Sequence, residues 1–274
     1  MTASARRNFA IVLGLFALTA ISACSLEPVR DFASIVWSKS RGGYSVSERL
    51  EQFAPAVASR VQAKFEAAGL TYPPYEVAYV SFKDSRMLEV YARMSSSESW
   101  RFVDEYTVFG ASGSLGPKLA EGDKQVPEGL YRVEYLNPNS RFHLSLGLNY
   151  PNEFDKRMAQ VDGRTQLGGD IMIHGSSLST GCLAVGDRAA EDLFVIAALV
   201  STERVRVLIS PTDFRLPSPV QLTEDPAWVR SLYLDLRTEL QQFRREPSKT
   251  FERRRPASPL EKLNDLRQSR RSFS

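Results

Sequence analysis

The spacing of apolar residues predicts that the folded part of the chain begins with an amphipathic helix. Over residues 46–68 apolar side chains recur at steps of three and four, as one face of a helix requires, at Leu50, Phe53, Val57, Val61 and Phe65. Gly69 follows this run, and glycine commonly ends a helix because it tolerates the left-handed conformation. We therefore expect a helix within residues 46–70 that packs one side on the rest of the protein.

Downstream of Pro73 and Pro74 the pattern changes to short apolar or alternating runs, which are typical of β-strands. These runs cover residues 77–82, 87–92, 100–108, 130–136 and 142–148. In the last run Phe142 and the alternating leucines share one strand face, so His143 and Ser145 are predicted to point to the other. His143 is therefore a candidate for a polar cleft.

Further elements are predicted in the second half of the chain. Residues 171–174 read as a strand that ends at His174, and residues 205–209 read as another. Between them Asp187 is placed to cap a helix that runs to about residue 200. The sequence thus predicts an α+β fold, mostly β, with helices flanking the strands on the N-terminal and C-terminal sides.

Two other segments stand out by composition. Residues 110–128 are rich in Gly, Ser and Pro, and loops of this length often serve as lids or binding loops. Asp225 and Pro226 begin a last predicted helix, whose apolar stripe consists of Trp228, Val229, Leu232, Leu236, Leu240 and Phe243. Such a stripe more often packs on its own domain than carries chemistry.

The N-terminal residues predict export. An apolar run over residues 9–21 follows Arg6 and Arg7, and it is too short to span a bilayer as a permanent helix but suits a secretory signal. The run closes in a stretch before Cys24 that resembles the bacterial lipoprotein signal, which makes Cys24 the lipidated first residue of the mature protein. Cleavage after Ala23 and an uncleaved anchor are the alternatives, and the paired arginines leave Sec and twin-arginine export both open.

This resemblance predicts a periplasmic protein attached to a membrane through its lipid. Ser25 follows the cysteine, and a non-acidic residue there favours the outer membrane in similar lipoproteins. The formal net charge is +3 for 274 residues, and basic residues concentrate in residues 247–274. We interpret that tail as a solvated, disordered extension rather than a nucleic-acid site, so no nucleic-acid partner is expected.

Cys182 and His174 are the best candidate chemistry in the chain. If Cys24 is lipidated, Cys182 has no disulfide partner, because the chain holds 2 cysteines. Its polar, Gly-containing surroundings favour a reactive thiol over a buried hydrophobic one. His174 can hold the thiol proton or pair with the thiolate as imidazolium, and the amides of Gly181 and Cys182 can face an oxyanion.

A metal site is a weaker interpretation of the same residues. Structural and catalytic zinc sites use three or four protein ligands, and the chain offers only His143, His174 and Cys182 besides carboxylates. A histidine that merely ends a strand is the plainer alternative to a catalytic one. We expect neither a metal nor another cofactor.

Several motifs in a fixed order resemble the L,D-transpeptidase catalytic domain (YkuD-like) family, in its YafK-type branch with a short His-to-Cys spacing. The segment from Ile173-His174-Gly175 to Ser179-Thr180-Gly181-Cys182 resembles the catalytic motif. Upstream, the matching motifs are Ser112 to Lys118, Glu121-Gly122-Asp123, Val126 to Tyr131, Asn137 to Ser140 and Leu148 to Asn152. Motifs in this order are far more specific than any one of them alone.

The resemblance implies an enzyme that acts on peptidoglycan stem peptides. In such enzymes the cysteine attacks the amide between an L-centre and a terminal D-residue, and the resulting thioester passes to an amine acceptor. Carried over, Cys182 is the nucleophile, His174 the base and Gly181 part of the oxyanion hole. Ser179 and Thr180 line or orient the site, and His143 and Tyr150 contact the substrate.

One departure from the family pattern concerns the substrate carboxylate. Many members have an arginine two residues after the cysteine, which suits a carboxylate grip, whereas this chain has Ala184 there. The grip then falls to other cations, with Lys118, Arg141, Lys156 and Arg157 as candidates. Each of these is otherwise a solvated surface charge.

The resemblance also sets the expected organisation and function. The segments are a signal peptide (1–24), a tether (25–45), a helix (46–70), a catalytic domain (75–212), a C-terminal helix (223–246) and the basic tail (247–274). The first functional hypothesis is a cysteine L,D-transpeptidase of the cell wall. The alternatives are a hydrolase that uses the same site to release lipoprotein or peptide from murein, and a wall-binding lipoprotein without turnover.

Overall fold

The structure is a computed structural model that describes residues 43–217, 222 and 225–245. The predicted signal peptide, all but the end of the tether and the basic tail lie outside the described residues. Among the described helices none is both long and apolar enough to cross a membrane. The strands are β1 (Glu76–Phe82), β2 (Met87–Arg93), β3 (Arg101–Thr107), β4 (Gly110–Ala111), β5 (Gly129–Ser140), β6 (His143–Leu148), β7 (Met172–His174), β8 (Leu183–Ala184) and β9 (Val205–Ser210). The helices are α1 (Val46–Ala67), α2 (Glu153–Val161), α3 (Asp187–Val200) and α4 (Val229–Leu240), with a short 3₁₀ turn at Thr202–Arg204.

Helix α1 begins and ends where the sequence predicts. Ser45 caps it: the Ser45 hydroxyl accepts from the Glu48 amide, and the Glu48 carboxylate accepts from the Ser45 amide. This reciprocal pair satisfies two donors that a helix N-terminus leaves open. Gly69 has a φ of 71°, the left-handed conformation expected just past a helix end. Val57, Val61 and Phe65 on the predicted face are buried.

The strands form one nine-stranded sheet in the order β3-β2-β1-β9-β5-β6-β7-β8-β4. Most neighbours are antiparallel, but β1 pairs with β9 in parallel, and so does β7 with β8. The sheet curls into a half-barrel that holds α1 and α3 on its inner face. This mostly β arrangement with flanking helices agrees with the predicted fold class.

The two faces of the sheet are covered differently. On the inner face Val77, Tyr79, Ile173 and Leu183 join the main core together with residues of α1 and α3. On the outer face α4 packs over the β1, β2 and β9 region, in a second apolar cluster that includes Val80. Among the described residues, none of β5 to β8 belongs to this second cluster.

The loop of residues 112–128 is fixed to the sheet by a buried ion pair. Lys83 donates from Nζ to the carbonyls of Gly116 and Val126 at 2.8 and 2.9 Å, and its Nζ lies 2.9 Å from Glu128. Glu128 also accepts from the Gly116 amide and from the Tyr233 hydroxyl of α4. One buried carboxylate thus joins the loop, the sheet and the last helix.

The cap predicted for α3 is wrong. Gly186, not Asp187, is the N-cap residue, and it makes no side-chain bond; Asp187 Oδ1 instead accepts from the Ser176 amide.

Two other helices differ from the sequence prediction. Helix α2 was not predicted, although Asn152 and Asp155 form a capping box at its start. The last helix begins at Val229, later than Asp225 and Pro226, and its stripe packs on the sheet as expected.

We predict that Lys83→Met destabilises the domain by about 3–5 kcal/mol, because it leaves the buried Glu128 carboxylate without its cation. Chemical denaturation followed by circular dichroism measures the loss. The matched control is Lys156→Met, since Lys156 pairs with Glu153 on the open surface and its loss leaves the midpoint unchanged. Equal midpoints for the two variants would contradict the anchoring role of Lys83.

Candidate active site

Strands β7 and β8 bring His174 and Cys182 to the same face of the sheet. In the parallel register Ile173 faces Leu183, and His174 faces Ala184. Ile173 and Leu183 point into the inner core, so by strand alternation the neighbouring residues point outward. Cys182 immediately precedes β8, two residues before Ala184, the partner of His174 on the neighbouring strand. This offset corresponds to about 8 Å between the Cα atoms of His174 and Cys182. Their side chains therefore lie on the outer face of the sheet.

Two rows of residues cross the sheet at this point. One row runs from Asn137 through Ser145 and His174 to Ala184. The second row runs from Tyr135 through Gly147 to Met172. When the β7–β8 register is extended by one residue, Cys182 stands beside Met172 in this row. The candidate base and nucleophile therefore stand in adjacent rows. In the first row Ser145 is fully buried, and its hydroxyl has no hydrogen-bond partner among the described residues.

The main chain sets the tautomer of His174. Its Nδ1 lies 2.6 Å from the carbonyl oxygen of Gly175, and because a carbonyl only accepts, Nδ1 carries the proton. Nε2 is then unprotonated in the neutral ring and can take a proton. The side chain is 2 % exposed, and burial lowers the pKa of His174, while the Gly175 carbonyl acts in the opposite direction.

Phe142 shields the imidazole. Its ring stacks on His174 with centroids 4.6 Å apart and planes at 25°, while Phe142 itself is 40 % exposed. The sequence prediction placed Phe142 on the apolar face of the strand, but β6 begins only at His143. Phe142 lies in the turn before it, where the alternation of a strand does not apply, and its outward ring covers the candidate base.

Cys182 is a free, half-buried thiol at the edge of this face. Its Sγ donates to the carbonyl of Asp170 at 3.6 Å. Burial raises the pKa of Cys182, and the charge of Asp170 raises it further, whereas the Met172 amide and the charge of Lys118 lower it. The net effect is a thiol harder to ionise than a free cysteine.

These opposed shifts decide the resting form of the pair. A His174 pKa below its ordinary value and a Cys182 pKa above its ordinary value leave no pH at which imidazolium and thiolate are both the main forms. At neutral pH the pair is therefore neutral imidazole and neutral thiol. A neutral imidazole with an unprotonated Nε2 is the form that can take a proton from a thiol.

The amides predicted for the oxyanion hole are engaged by hydroxyl groups. Gly181 has a φ of 88°, and its N–H donates to Ser112 Oγ at 2.6 Å. The N–H of Cys182 donates to Ser179 Oγ at 3.0 Å, and Ser179 Oγ donates to the Cys182 carbonyl at 2.5 Å. Ser179 thus holds the loop that carries Cys182, and the role of the two amides toward a substrate stays a prediction.

Lys118 and Tyr150, predicted to contact the substrate, are buried and bonded within the protein. Lys118 Nζ donates to Asp123 at 2.5 Å and to the Ala120 carbonyl at 2.7 Å. Tyr150 donates from its hydroxyl toward the main-chain oxygens of Lys118 and Leu167 at 3.4 and 3.3 Å. Lys118 is close enough to act on the thiol electrostatically, but its ammonium already has partners.

His143 does not face the cleft as its strand position predicts. Its Nε2 lies 3.0 Å from Glu191 of α3, and its ring contacts Phe53 of α1 edge-on. The backbone explains the difference: His143 has a φ of 72°, and the β5–β6 register shifts between Asn137 and Ser140. Alternation fails at such an irregularity, so the side chain turns to the helix side.

The other predicted substrate contacts lie on the surface. Thr180 on the nucleophile loop and Arg141 at the tip of the β5–β6 hairpin are both exposed. Arg141 precedes Phe142 and is thus one residue from the ring that covers His174. Lys156 pairs with Glu153 on α2, and Arg157 is exposed on the same helix. Within the described ranges no group of three His, Cys, Asp or Glu side chains is placed to hold a metal ion.

Comparison with known proteins accounts for this arrangement. Residues 76–209 match the family model YkuD, described as the L,D-transpeptidase catalytic domain. These residues belong to the YkuD family. The matched segment contains every strand from β1 to β8 and nearly all of β9, together with His174 and Cys182, so the curled sheet is the body of the YkuD domain and the candidate pair lies on it.

The YkuD domain also has curated relatives and solved neighbours. The chain is 36% identical over 135 residues to "Putative L,D-transpeptidase YafK" of Escherichia coli strain K12, a match that covers 47% of this chain and 52% of that protein. It therefore spans about half the length of that relative. The structure of the helical cell shape determining protein Pgp2 from Campylobacter jejuni is 27% identical with a TM-score of 0.40, covering 50% of this chain and 48% of that one. For Mycobacterium tuberculosis L,D-transpeptidase 1 the values are 12% and 0.29, with coverage of 49% and 62%.

We predict that Cys182 alkylates more slowly at pH 7 than the same thiol in the unfolded chain, because the folded environment raises its pKa. In a Cys24→Ser protein Cys182 is the one thiol, and its reaction with iodoacetamide across pH gives the ionisation profile. The expected midpoint lies above that of the protein in denaturant. A midpoint below it would mean that an ion pair with His174 dominates instead of burial.

We predict that Phe142→Ala raises the pKa of His174 toward the ordinary value of about 6.5, because removal of the stacked ring hydrates the imidazole. Proton NMR resolves this, since the chain has 2 histidines and His143→Gln assigns the signals. The matched control is Phe109→Ala, which removes an exposed ring that packs at Gly186. If both variants leave the His174 titration unchanged, Phe142 does not shield the ring.

Proposed function

We propose that the YkuD domain is a cysteine acyl transferase of the L,D-transpeptidase type that acts on peptidoglycan stem peptides. The observation that carries this proposal is the placement of a histidine, with its Nδ1 bonded to the main chain, and a free thiol on the outer face of the sheet, in adjacent rows. The order of motifs from Ser112 to Cys182 and the relationship to the YafK protein support the same chemistry.

In the proposed reaction the chain supplies a base, a nucleophile and a polar loop. His174 Nε2 takes the thiol proton as Cys182 Sγ attacks the amide carbonyl between the L-centre and the terminal D-residue. Gly175 holds the imidazole through Nδ1 as the ring becomes charged. The imidazolium then protonates the leaving amine, and the acyl group remains on Cys182 as a thioester.

A neutral resting pair suits this sequence of steps. Burial of both side chains disfavours the charged forms, so the proton moves only when a substrate carbonyl is present to accept the sulfur. Resolution of the thioester by an amine gives a cross-link, and resolution by water gives hydrolysis. Water as acceptor makes the enzyme a hydrolase that frees lipoprotein or peptide from the wall, which is the second outcome of the test below.

We further propose that the protein works in the periplasm, anchored to a membrane by lipid on Cys24. The support is the sequence of residues 6–25 alone. The substrate class fits this location, since murein lies on the outer side of the inner membrane. The mass of the mature N-terminus measures both the cleavage site and the lipid.

We predict that Cys182→Ser and His174→Ala each lower product formation at least about a thousandfold, because each removes one member of the transferring pair. Purified protein is incubated with murein sacculi, and the digest is analysed by mass spectrometry. New cross-links between stem peptides support transfer, whereas released stem-linked material without new cross-links supports hydrolysis. If the unsubstituted protein leaves the muropeptides unchanged, the enzymatic proposal is wrong and a wall-binding role without turnover remains.

A matched pair of variants separates chemistry from folding. Cys182→Ser changes one atom on an already ordered loop, and Asp235→Asn changes an exposed carboxyl on α4, away from the β5 to β8 face. We expect both to keep the unfolding midpoint of the parent protein and only Cys182→Ser to lose product.

A further inference from the structure

Asp170 places an unpaired carboxylate beside the nucleophile. Its carbonyl oxygen accepts from the Cys182 thiol, and its side chain is exposed. The carboxylate forms no hydrogen bond or ion pair with any described residue. Asp170 has a φ of 55°, a conformation that Asp and Asn tolerate better than most residues. The acidic residue is therefore exposed next to Cys182.

Tyr135 lies across the same part of the site. Its ring rests on Gly147, where an added Cβ would lie 2.3 Å from two ring carbons. Gly147 is thus required for this ring position, in the row that leads through Met172 to Cys182. Tyr135 is 39 % exposed. The strand register pairs Tyr135 with Gly147 and Gly147 with Met172, which is two residues after Asp170. Partial burial raises the pKa of the Tyr135 hydroxyl, with smaller contributions from the charges of Asp170 and Cys182.

The charges around this spot favour a cation as ligand. Lys118, whose charge acts on the Cys182 thiol, forms its ion pair with Asp123. A carboxylate and the face of a tyrosine ring are two of the groups that attract an ammonium in proteins. A carboxylate ligand would meet repulsion from Asp170 at the same position.

We propose that Asp170 and Tyr135 form a subsite for the primary ammonium group of the acceptor that resolves the thioester. This rests on the proposed function and names the class of acceptor that the function leaves open. The subsite selects a protonated amine over neutral nucleophiles, including water, and so shifts the outcome toward transfer.

In the acceptor step the amine replaces the sulfur of Cys182 on the acyl group. The amine nitrogen forms a bond to the acyl carbon, and the carbon–sulfur bond breaks. Counted from the ammonium, the nitrogen loses two protons. Asp170 accepts one and passes it to solvent, and His174 takes the other and returns it to the departing sulfur of Cys182.

The test compares Asp170→Asn with the unsubstituted protein at pH 7. A stem tetrapeptide ending in a D-residue serves as donor, and intact-protein mass measures the acyl-enzyme. Glycinamide, which is largely protonated at this pH, and hydroxylamine, which is uncharged, serve as competing acceptors. For Asp170→Asn we expect the ratio of aminolysis to hydrolysis with glycinamide to fall about two- to tenfold, with the hydroxylamine ratio unchanged.

The rate of acyl-enzyme formation distinguishes the proposed role of Asp170 from a merely structural one. Removal of the Asp170 charge lowers the pKa of the Cys182 thiol, so acyl-enzyme formation in Asp170→Asn is as fast as in the parent or faster. The control is Asp235→Asn, which we expect to change neither acylation nor the ratios. Equal loss with both acceptors, or slower acylation, would overturn the subsite and assign Asp170 a structural role.

The ring is tested in parallel. We expect Tyr135→Phe, which keeps the ring, to leave the ratio of aminolysis to hydrolysis with glycinamide unchanged. Tyr135→Leu removes the ring and Gly147→Ala displaces it, so both are expected to lower this ratio. An unsubstituted protein that acylates but forms no glycinamide product would overturn the subsite while the proposed function stands. Failure to form any acyl-enzyme would overturn the proposed function and the subsite with it.

Discussion

The parallel pairing of β7 with β8 is the constraint on which the site depends. The two strands have three and two residues, so few ladder hydrogen bonds hold them, and most of their fixation comes from burial of Ile173 and Leu183 in the inner core. Because alternation is strict within this short register, fixing those two side chains inward also fixes His174 and Cys182 outward. If the register slipped by one residue, His174 and Cys182 would point into the core, and Ile173 and Leu183 would point outward.

The residues around the pair then set its proton chemistry. Burial acts on His174 and on Cys182 in the sense that favours the uncharged form of each. The two charges near the thiol act in opposite directions, with Lys118 favouring the thiolate and Asp170 opposing it. Burial is the larger influence, and its consequence is a thiol that is harder to ionise than a free cysteine.

The sequence predicted the parts of the fold that periodic burial controls. Helix α1, most strands and the end of β7 at His174 followed from apolar spacing, because each buries one face against a single core. His143 and Phe142 were misplaced, since a positive φ and a shifted register at the β5–β6 turn are tertiary features that alternation does not contain. Tyr135 was missed for a related reason: its position follows from the β5 register and from the absence of a Cβ at Gly147. The capping box of α2 was a readable signal.

The hydroxyls of Ser112 and Ser179 couple the nucleophile to the long loop. Ser112 accepts from the Gly181 amide and donates to the Lys124 carbonyl at 2.6 Å, and the Lys83–Glu128 pair anchors that loop on the other side. An oxyanion that takes the Gly181 or Cys182 amide must share it with a hydroxyl or displace that hydroxyl. The amides are therefore held at the nucleophile without being left open, which keeps the loop ordered before substrate arrives. In the proposed reaction, stabilisation of a tetrahedral intermediate would depend on how readily Ser112 and Ser179 turn to other partners. Ser112 belongs to the loop of residues 112–128, so that loop would control the first of them.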